Sequence, residues 1–221
     1  MDNAEEFDAR GNRNRILSPF FEEPETTNPT PEQCRERLDK IYAKKQFSAV
    51  GFKFKFPNQT DNYPEILEAL RARADALRVI YLFRMNQMKR GVSRQHLVSL
   101  LKSPTNKNLR GGNTNTDKPS AKILVDIQQL KSFFKRQARQ RKWLSEILDD
   151  FPHRLEVTYE DLINHQVATS RRLLAFLNVD SAFELKTNLQ KLTPDSLKDI
   201  VINYDELVQA FAGTEYERFL D

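Results

Sequence analysis

The segment "RVIYLFRMNQMKRGVS", residues 78–93, carries a short apolar run that ends at an arginine and continues through polar residues to a serine. The apolar residues 78–83 predict a short, buried strand. The residues that follow predict a helix over 87–102. The segment therefore places Arg84 at the end of a strand and Ser93 on the helix after it.

The spacing of Arg84 and Ser93 allows two geometries. One straight helix over 84–93 would place them on opposite faces, about 13 Å apart. If Arg84 instead ends the strand and a turn through residues 85–87 comes before the helix, the guanidinium and the hydroxyl can meet around one anion. The simpler alternative is an arginine that closes a strand and a serine on a solvated helix face.

The sequence upstream predicts a β-α-β unit. In "SAVGFKFKF", residues 48–56, apolar and polar residues alternate as in a strand. Pro64 begins a helix whose apolar residues recur at helical spacing as far as Leu77. Such a unit places its two strands parallel, with Phe83 and Arg84 at the edge where open α/β sheets bind ligands.

Capping signals and apolar periods predict the remaining elements. They are a helix from Thr30 to about Lys45, an amphipathic helix over 123–151 with one basic side, a strand ending at Val157, a short helix begun by a Thr158–Asp161 capping box, and helices over 166–177, 194–201 and 204–211, the last with Asn203 as its N-cap.

The composition indicates one folded domain over residues 1–221, with 39% hydrophobic and 30% charged residues. We expect residues 1–29 to be irregular and residues 103–120 to form a flexible loop. The net charge of +4 mildly favours anionic ligands. A single cysteine excludes an internal disulfide, and the three histidines lack the spacing of a metal site. Because no apolar run is long enough to span a bilayer, we expect a cytoplasmic protein.

The segment 78–93 resembles the 3′-phosphate-binding motif of sulfotransferases that use 3′-phosphoadenosine 5′-phosphosulfate (PAPS). In the form "R-x-N-x-x-x-R-x-V-S" it is similar to the bacterial nodulation-type and trehalose sulfotransferases. Residues 156–180 resemble the family's strand, "YEDL" helix and "FLGV" segment, with Asn178 where glycine is usual. "NYDEL" and the residues around it resemble the family's C-terminal helix. The resemblance covers about residues 49–103 and 150–221.

This resemblance implies an α/β fold, namely a P-loop-NTPase-like, three-layer sulfotransferase domain with a small parallel sheet flanked by helices. It implies that Arg84 and Ser93 bind the 3′-phosphate of PAPS, which is the co-substrate, and that no metal is needed. The implied activity is transfer of a sulfuryl group from PAPS to a hydroxyl of a carbohydrate or a small metabolite.

Family members also carry an "R-[ST]-G-[ST]-x-L" loop near the N-terminus, which binds the 5′-phosphosulfate. This sequence has no glycine in that arrangement, so we expect the first strand and its loop to be missing. "AEEFD", residues 4–8, resembles the "E-x-F" element of this subgroup, which implies that Glu5 is the base for the acceptor hydroxyl. The alternative is an acidic residue in an irregular terminus. A missing strand leaves a sheet edge unpaired, which favours association.

Two other functions stay open. A chain without the 5′-phosphosulfate loop is consistent with a truncated, inactive remnant that binds nucleotide or a protein partner. The basic side of the helix over 123–151 offers phosphate contacts to a nucleic acid. Because neither an aromatic stacking platform nor a known binding motif accompanies these charges, we expect no nucleic-acid partner. Since no apolar run could span a bilayer, we also expect no membrane partner.

Overall fold

The computed structural model describes residues 4–7, 13–16, 30–43, 49–53, 64–102, 122–182 and 196–220. In chain order the strands and helices are β1 (Ala4–Phe7), β2 (Arg13–Ile16), α1 (Pro31–Tyr42), α2 (Pro64–Arg71), β3 (Val79–Phe83), α3 (Gln87–Lys102), α4 (Ile127–Leu148), β4 (Arg154–Thr158), α5 (Tyr159–Asn164), α6 (Gln166–Phe176), α7 (Leu197–Ile200) and α8 (Tyr204–Phe211). Short 3-10 helices cover Ala74–Ala76 and Glu217–Phe219. The predicted loop over 103–120 lies outside the described residues.

Helices and a small parallel sheet place the protein in the mixed α/β class, as predicted. The chain divides into two compact units. The first consists of Met1–Phe83 and Gln140–Leu185, and the second of Arg84–Arg139 and Lys186–Asp221. Organisation as a single domain stays a prediction. In the described ranges, no helix combines the length and the apolar character that a membrane span requires.

Strands β3 and β4 form a two-stranded parallel sheet in the first unit, with Val79 opposite Arg154 and Phe83 opposite Thr158. A small parallel sheet is present, as predicted, but its strands are not the two of the predicted β-α-β unit. Both strands end at the same edge. The predicted full burial of β3 is wrong, because its side chains alternate between half-buried and exposed, with Leu82 54% exposed. This alternation is typical of a strand that is covered on one side.

The predicted strand over 48–56 is wrong for residues 49–53, which form no strand, while residues 54–56 lie outside the described part of the chain. The alternation itself is present. Val50 and Phe52 are half-buried against the core of the first unit, whereas Gly51 and Lys53 are exposed. The two-residue alternation therefore indicates which side chains are buried, although the backbone of residues 49–53 forms no strand hydrogen bonds. The strand that pairs with β3 is β4.

The expectation of an irregular segment over 1–29 is wrong where the structure describes it. Strands β1 and β2 pair antiparallel, with Ala4 opposite Ile16 and Phe7 opposite Arg13. A local hairpin satisfies its backbone groups by pairing two nearby segments, and this requires no sustained apolar period. The sequence pattern could not reveal it for that reason.

Helix α1 begins at the predicted capping box. Thr30 Oγ1 accepts a hydrogen bond from the Gln33 N–H at 3.2 Å, and Gln33 Oε1 accepts one from the Thr30 N–H at 2.9 Å. The apolar side of α1 joins α2 and the end of α4 in the core of the first unit, against which Trp143 is half-buried. The buried members of this core are Cys34, Leu38, Ile41, Ile66, Leu67, Ala69, Leu70, Ile147 and Phe151.

The junction between β4 and α5 is the second predicted capping box. The Asp161 N–H donates to Thr158 Oγ1 at 2.9 Å, and the Thr158 N–H donates to Asp161 Oδ2 at 3.4 Å. Hydrogen bonding from the Thr158 side chain, and also from its backbone, lowers the pKa of Asp161 below the usual range of aspartate. The cap therefore explains Thr158 and Asp161 of the "TYEDL" segment as residues of a strand exit.

In the second unit, Asn203 has a different role from the predicted one. It precedes α8, but its side chain does not cap that helix. Instead its amide pairs with both backbone groups of Val125, accepting from the N–H at 2.9 Å and donating to the carbonyl at 3.0 Å. These bonds lie beside a parallel bridge between Ile123 and Val201. Helix α7 begins at Leu197, and the predicted start at residues 193–194 lies outside the described ranges.

The core of the second unit contains an aromatic cluster. The rings of Phe134 and Tyr216 stack with their centroids 4.2 Å apart, and Phe211 meets both rings edge to face. Phe134 and Phe211 are buried, as are Leu207 and Leu197. Helix α8 and the residues after it are therefore held by α4 through this cluster.

Helix α3 packs closely against α4 at Gly91. A Cβ atom at this position would lie 2.2 Å from Leu130 Cδ1 and 3.2 Å from Phe133 Cδ1. Leu130 is completely buried and Phe133 is nearly so, which leaves little room for either side chain to move. The sequence requires glycine here for close approach of two helices.

We expect Gly91→Ala to lower the free energy of unfolding by about 1–2 kcal/mol, because the cost of overpacking exceeds the gain in helix propensity. Urea unfolding measures the change. Gly51→Ala is the matched control, since a Cβ at Gly51 meets nothing within 4 Å. Equal stabilities of the two variants would contradict the close packing at Gly91.

We expect Thr158→Ala to lower the free energy of unfolding by about 1 kcal/mol through loss of the cap. Ser196→Ala is the control, because Ser196 precedes α7 without a side-chain capping bond. NMR titration should show the pKa of Asp161 rising in Thr158→Ala. The pKa of Asp161 is lower in the folded state, so its contribution to stability exists above about pH 4 and is lost as the pH falls through the folded pKa. An Asp161 pKa that does not change would contradict the assignment.

Candidate functional site

Arg84 directly follows the last residue of β3 and precedes a helix that begins at Gln87. The predicted turn between strand and helix is therefore confirmed, and the straight helix over 84–93 is excluded. Arg84 is half-buried. Because β3 and β4 are parallel, Phe83 lies at the carboxyl edge of their sheet, where α/β proteins commonly bind ligands.

Asn86 starts helix α3. Its Oδ1 accepts a hydrogen bond from the Lys89 N–H at 2.8 Å, and its carbonyl accepts one from the Arg90 N–H at 3.1 Å. A side-chain acceptor at the N-cap satisfies a backbone donor of the first helical turn. The asparagine in "R-x-N" therefore has a local role, which is to end the turn and begin the helix.

Gln87 holds the other side of this turn. Its side-chain Nε2 donates to the main-chain carbonyl of Arg84. Gln87 is only 5% exposed, which is rare for a polar residue at the first position of a helix. Its role was not predicted from the sequence. The available signal was its position one turn before Gly91, on the side of α3 that faces the core.

Ser93 lies seven residues after Asn86, which is two turns and about 10 Å along the helix axis. It is half-buried, beside the buried Gly91 and Val92. Arg84 and Ser93 belong to the same compact unit, with Arg84 before the first turn of α3 and Ser93 within that helix. A guanidinium, a hydroxyl and the positive end of a helix together favour an anionic ligand.

Glu5 belongs to a different unit from these two residues. It lies in β1 of the first unit, opposite Arg15 in the strand register, whereas Arg84 and Ser93 belong to the second unit. Its role as a base stays a prediction.

The first unit contains a cavity of about 210 Å³ between the end of α4 and one face of the parallel sheet. Tyr81 and Phe83 line it with stacked rings whose centroids are 5.0 Å apart. Arg154, at its rim, donates to Asp149 Oδ1 and to the Leu148 carbonyl, each at 2.8 Å. These bonds use the guanidinium to fix the start of β4, so the cavity has mainly a structural explanation.

The basic side of α4 is solvated in the second unit. Lys135, Arg136 and Arg139 are exposed, and the Arg136 guanidinium lies 5.9 Å from the centre of the Phe133 ring. Lys131 lies 5.8 Å from the ring centre of Phe211. These cation–π contacts give Arg136 and Lys131 a structural role that does not require binding to a nucleic acid.

No cluster of three or more potential His, Cys, Asp or Glu metal ligands occurs within the described ranges. Comparisons of the chain with known protein families, with curated proteins and with solved structures find no match. The functional interpretation therefore depends on the sequence motif and on the geometry of residues 84–93.

We expect Asn86→Ala to lower the free energy of unfolding by about 1 kcal/mol, because the Lys89 N–H loses its acceptor. Chemical denaturation followed by circular dichroism measures this loss. Asn164→Ala is the control, since Asn164 is exposed at the C-terminal end of α5, where no N-cap is needed. If both variants were as stable as the parent, the capping role of Asn86 would be wrong.

Proposed function

We propose that this protein is a PAPS-dependent sulfotransferase that acts on a hydroxyl of a carbohydrate or a small metabolite. The observation that carries the proposal is the turn that separates Arg84 from helix α3. This turn excludes the straight helix over 84–93, in which the Arg84 and Ser93 side chains would lie on opposite helix faces. The parallel pairing of β3 with β4 supports the P-loop-NTPase-like, three-layer sulfotransferase fold that the proposal includes.

Arg84 and Ser93 bind the 3′-phosphate of PAPS in this proposal. The planar guanidinium of Arg84 offers two parallel N–H donors to one phosphate, and the Ser93 hydroxyl adds a third directed donor. The turn over 84–86 is held by two side chains that bond to the backbone. Gln87 donates to the Arg84 carbonyl, and Asn86 accepts from the Lys89 N–H. The site therefore depends on residues that are ordered before the ligand binds, which lowers the entropic cost of binding.

The chemical step transfers the sulfuryl group from phosphate oxygen to hydroxyl oxygen. The acceptor oxygen attacks sulfur, the bond between sulfur and the 5′-phosphate oxygen breaks, and adenosine 3′,5′-bisphosphate leaves with the electron pair. A base, for which Glu5 is the candidate, takes the acceptor proton. This step requires no metal. The proposal also includes a cytoplasmic location for the protein.

Calorimetric titration with adenosine 3′,5′-bisphosphate tests the nucleotide site. We expect the parent to bind, Arg84→Ala to bind about 10- to 100-fold more weakly, and Ser93→Ala about fivefold more weakly, because charge-assisted hydrogen bonds contribute more than neutral ones.

Two exposed residues of the same helix provide controls for this titration. Arg94→Ala removes an equal charge next to Ser93, and Ser99→Ala removes an equal hydroxyl six residues further along the helix. Neither change should alter the affinity. Parent protein that does not bind the bisphosphate would contradict the proposal.

A transfer assay with PAPS, using glucose and trehalose as acceptor probes, separates catalysis from binding. Sulfated sugar together with released adenosine 3′,5′-bisphosphate supports the sulfotransferase. Nucleotide binding without turnover in this assay favours the alternative function, a nucleotide-binding protein without catalysis.

A further inference from the structure

We propose that Gln87 is a positioning residue for Arg84, and that its buried side-chain amide sets the direction of the Arg84 guanidinium by holding the Arg84 carbonyl. This inference rests on the proposed function for its ligand. Its structural basis is the hydrogen bond from Gln87 Nε2 to the Arg84 carbonyl. Gln87 touches neither substrate nor nucleotide in this scheme and acts only through the backbone.

The Gln87 side chain is buried, so its amide has exchanged water for the bond to the Arg84 carbonyl. The residue is 5% exposed and precedes the fully buried Met88. Its Oε1 is buried and has no hydrogen-bond partner. A buried acceptor without a partner is costly, so an apolar residue of similar size would suit this position better if packing alone decided it.

The location of the bond explains what the amide achieves. Three residues, 84–86, connect a strand to a helix, so the backbone changes direction over a short stretch. Asn86 fixes its helical end through Lys89, and Gln87 fixes its strand end through Arg84. Together they hold the backbone on either side of Met85, whose side chain is 54% exposed. An arginine whose backbone is held loses less freedom when its guanidinium binds a phosphate.

The substitution that tests this role is Gln87→Glu, which keeps the size and shape of the side chain. An ionised carboxylate cannot donate to the Arg84 carbonyl. At pH 8 we expect adenosine 3′,5′-bisphosphate to bind this variant about tenfold more weakly than the parent. A protonated carboxyl regains one O–H donor, so the ratio between the affinities of parent and variant should fall toward one as the pH decreases to 5.

Gln95→Glu is the matched control. Gln95 lies on the same helix and also links its side chain to a backbone, donating to the Asp126 carbonyl and accepting from the Asp126 N–H, each at 2.9 Å. We expect this variant to lose stability in urea without losing affinity for the bisphosphate. Equal loss of affinity in both variants would reduce Gln87 to a general stabilising residue and overturn the proposal.

A second measurement distinguishes failure of this inference from failure of the proposed function. Backbone ¹⁵N relaxation of residues 84–86 needs no ligand. We expect lower order parameters for these residues in Gln87→Glu than in the parent or in Gln95→Glu. A parent protein that does not bind the bisphosphate would contradict the proposed function. Order parameters that are unchanged in Gln87→Glu would overturn the role of Gln87, whether or not the nucleotide binds.

Discussion

The hydrogen bonds at the turn over residues 84–86 are the constraint on which the candidate site depends. The chain leaves an extended strand at Phe83 and enters a helix at Gln87, so its direction changes within three residues. One side chain at each end of the turn bonds to the backbone and thereby fixes the change. The turn excludes one straight helix over 84–93, in which Arg84 and Ser93 would lie on opposite faces.

The packing of helix α3 determines where the far end of the site lies. Gly91 brings this helix close to α4, and the buried Met88 and Val92 face the same core. Ser93, one position further round the helix, is thereby left half-buried at the border between core and solvent. A hydroxyl at such a border is partly shielded from water yet accessible to a ligand, which strengthens a hydrogen bond to an anion.

Local signals made much of this structure predictable from the sequence. The capping boxes at Thr30 and Thr158 involve residues only three positions apart, and both form as predicted. The boundary between Arg84 and α3 followed from the end of an apolar run. These features depend on neighbouring residues, so they can be recognised in the sequence without knowledge of the tertiary structure. The identification of Arg84 and Ser93 as nucleotide ligands remains a hypothesis that the motif motivates.

Features that depend on distant partners were not predictable. Asn203 has the sequence signature of a helix cap, yet it bonds Val125, which is 78 positions away. The period of α3 places Gln87 on the side that faces the core, but it cannot identify the backbone carbonyl that is its partner. The alternation at residues 49–53 correctly marked which side chains turn inward, but it cannot reveal whether a second strand is present to pair with them.

The position of Trp143 has a practical consequence for optical measurements. It is the only tryptophan of the chain, and it packs against the core of the first unit. Tryptophan emission therefore reports only on the first unit, where it follows the solvation of the Trp143 indole. The unit that contains Arg84 and Ser93 has no tryptophan. Tryptophan fluorescence of the second unit needs an indole introduced there, for example in place of an aromatic residue that is already half-buried.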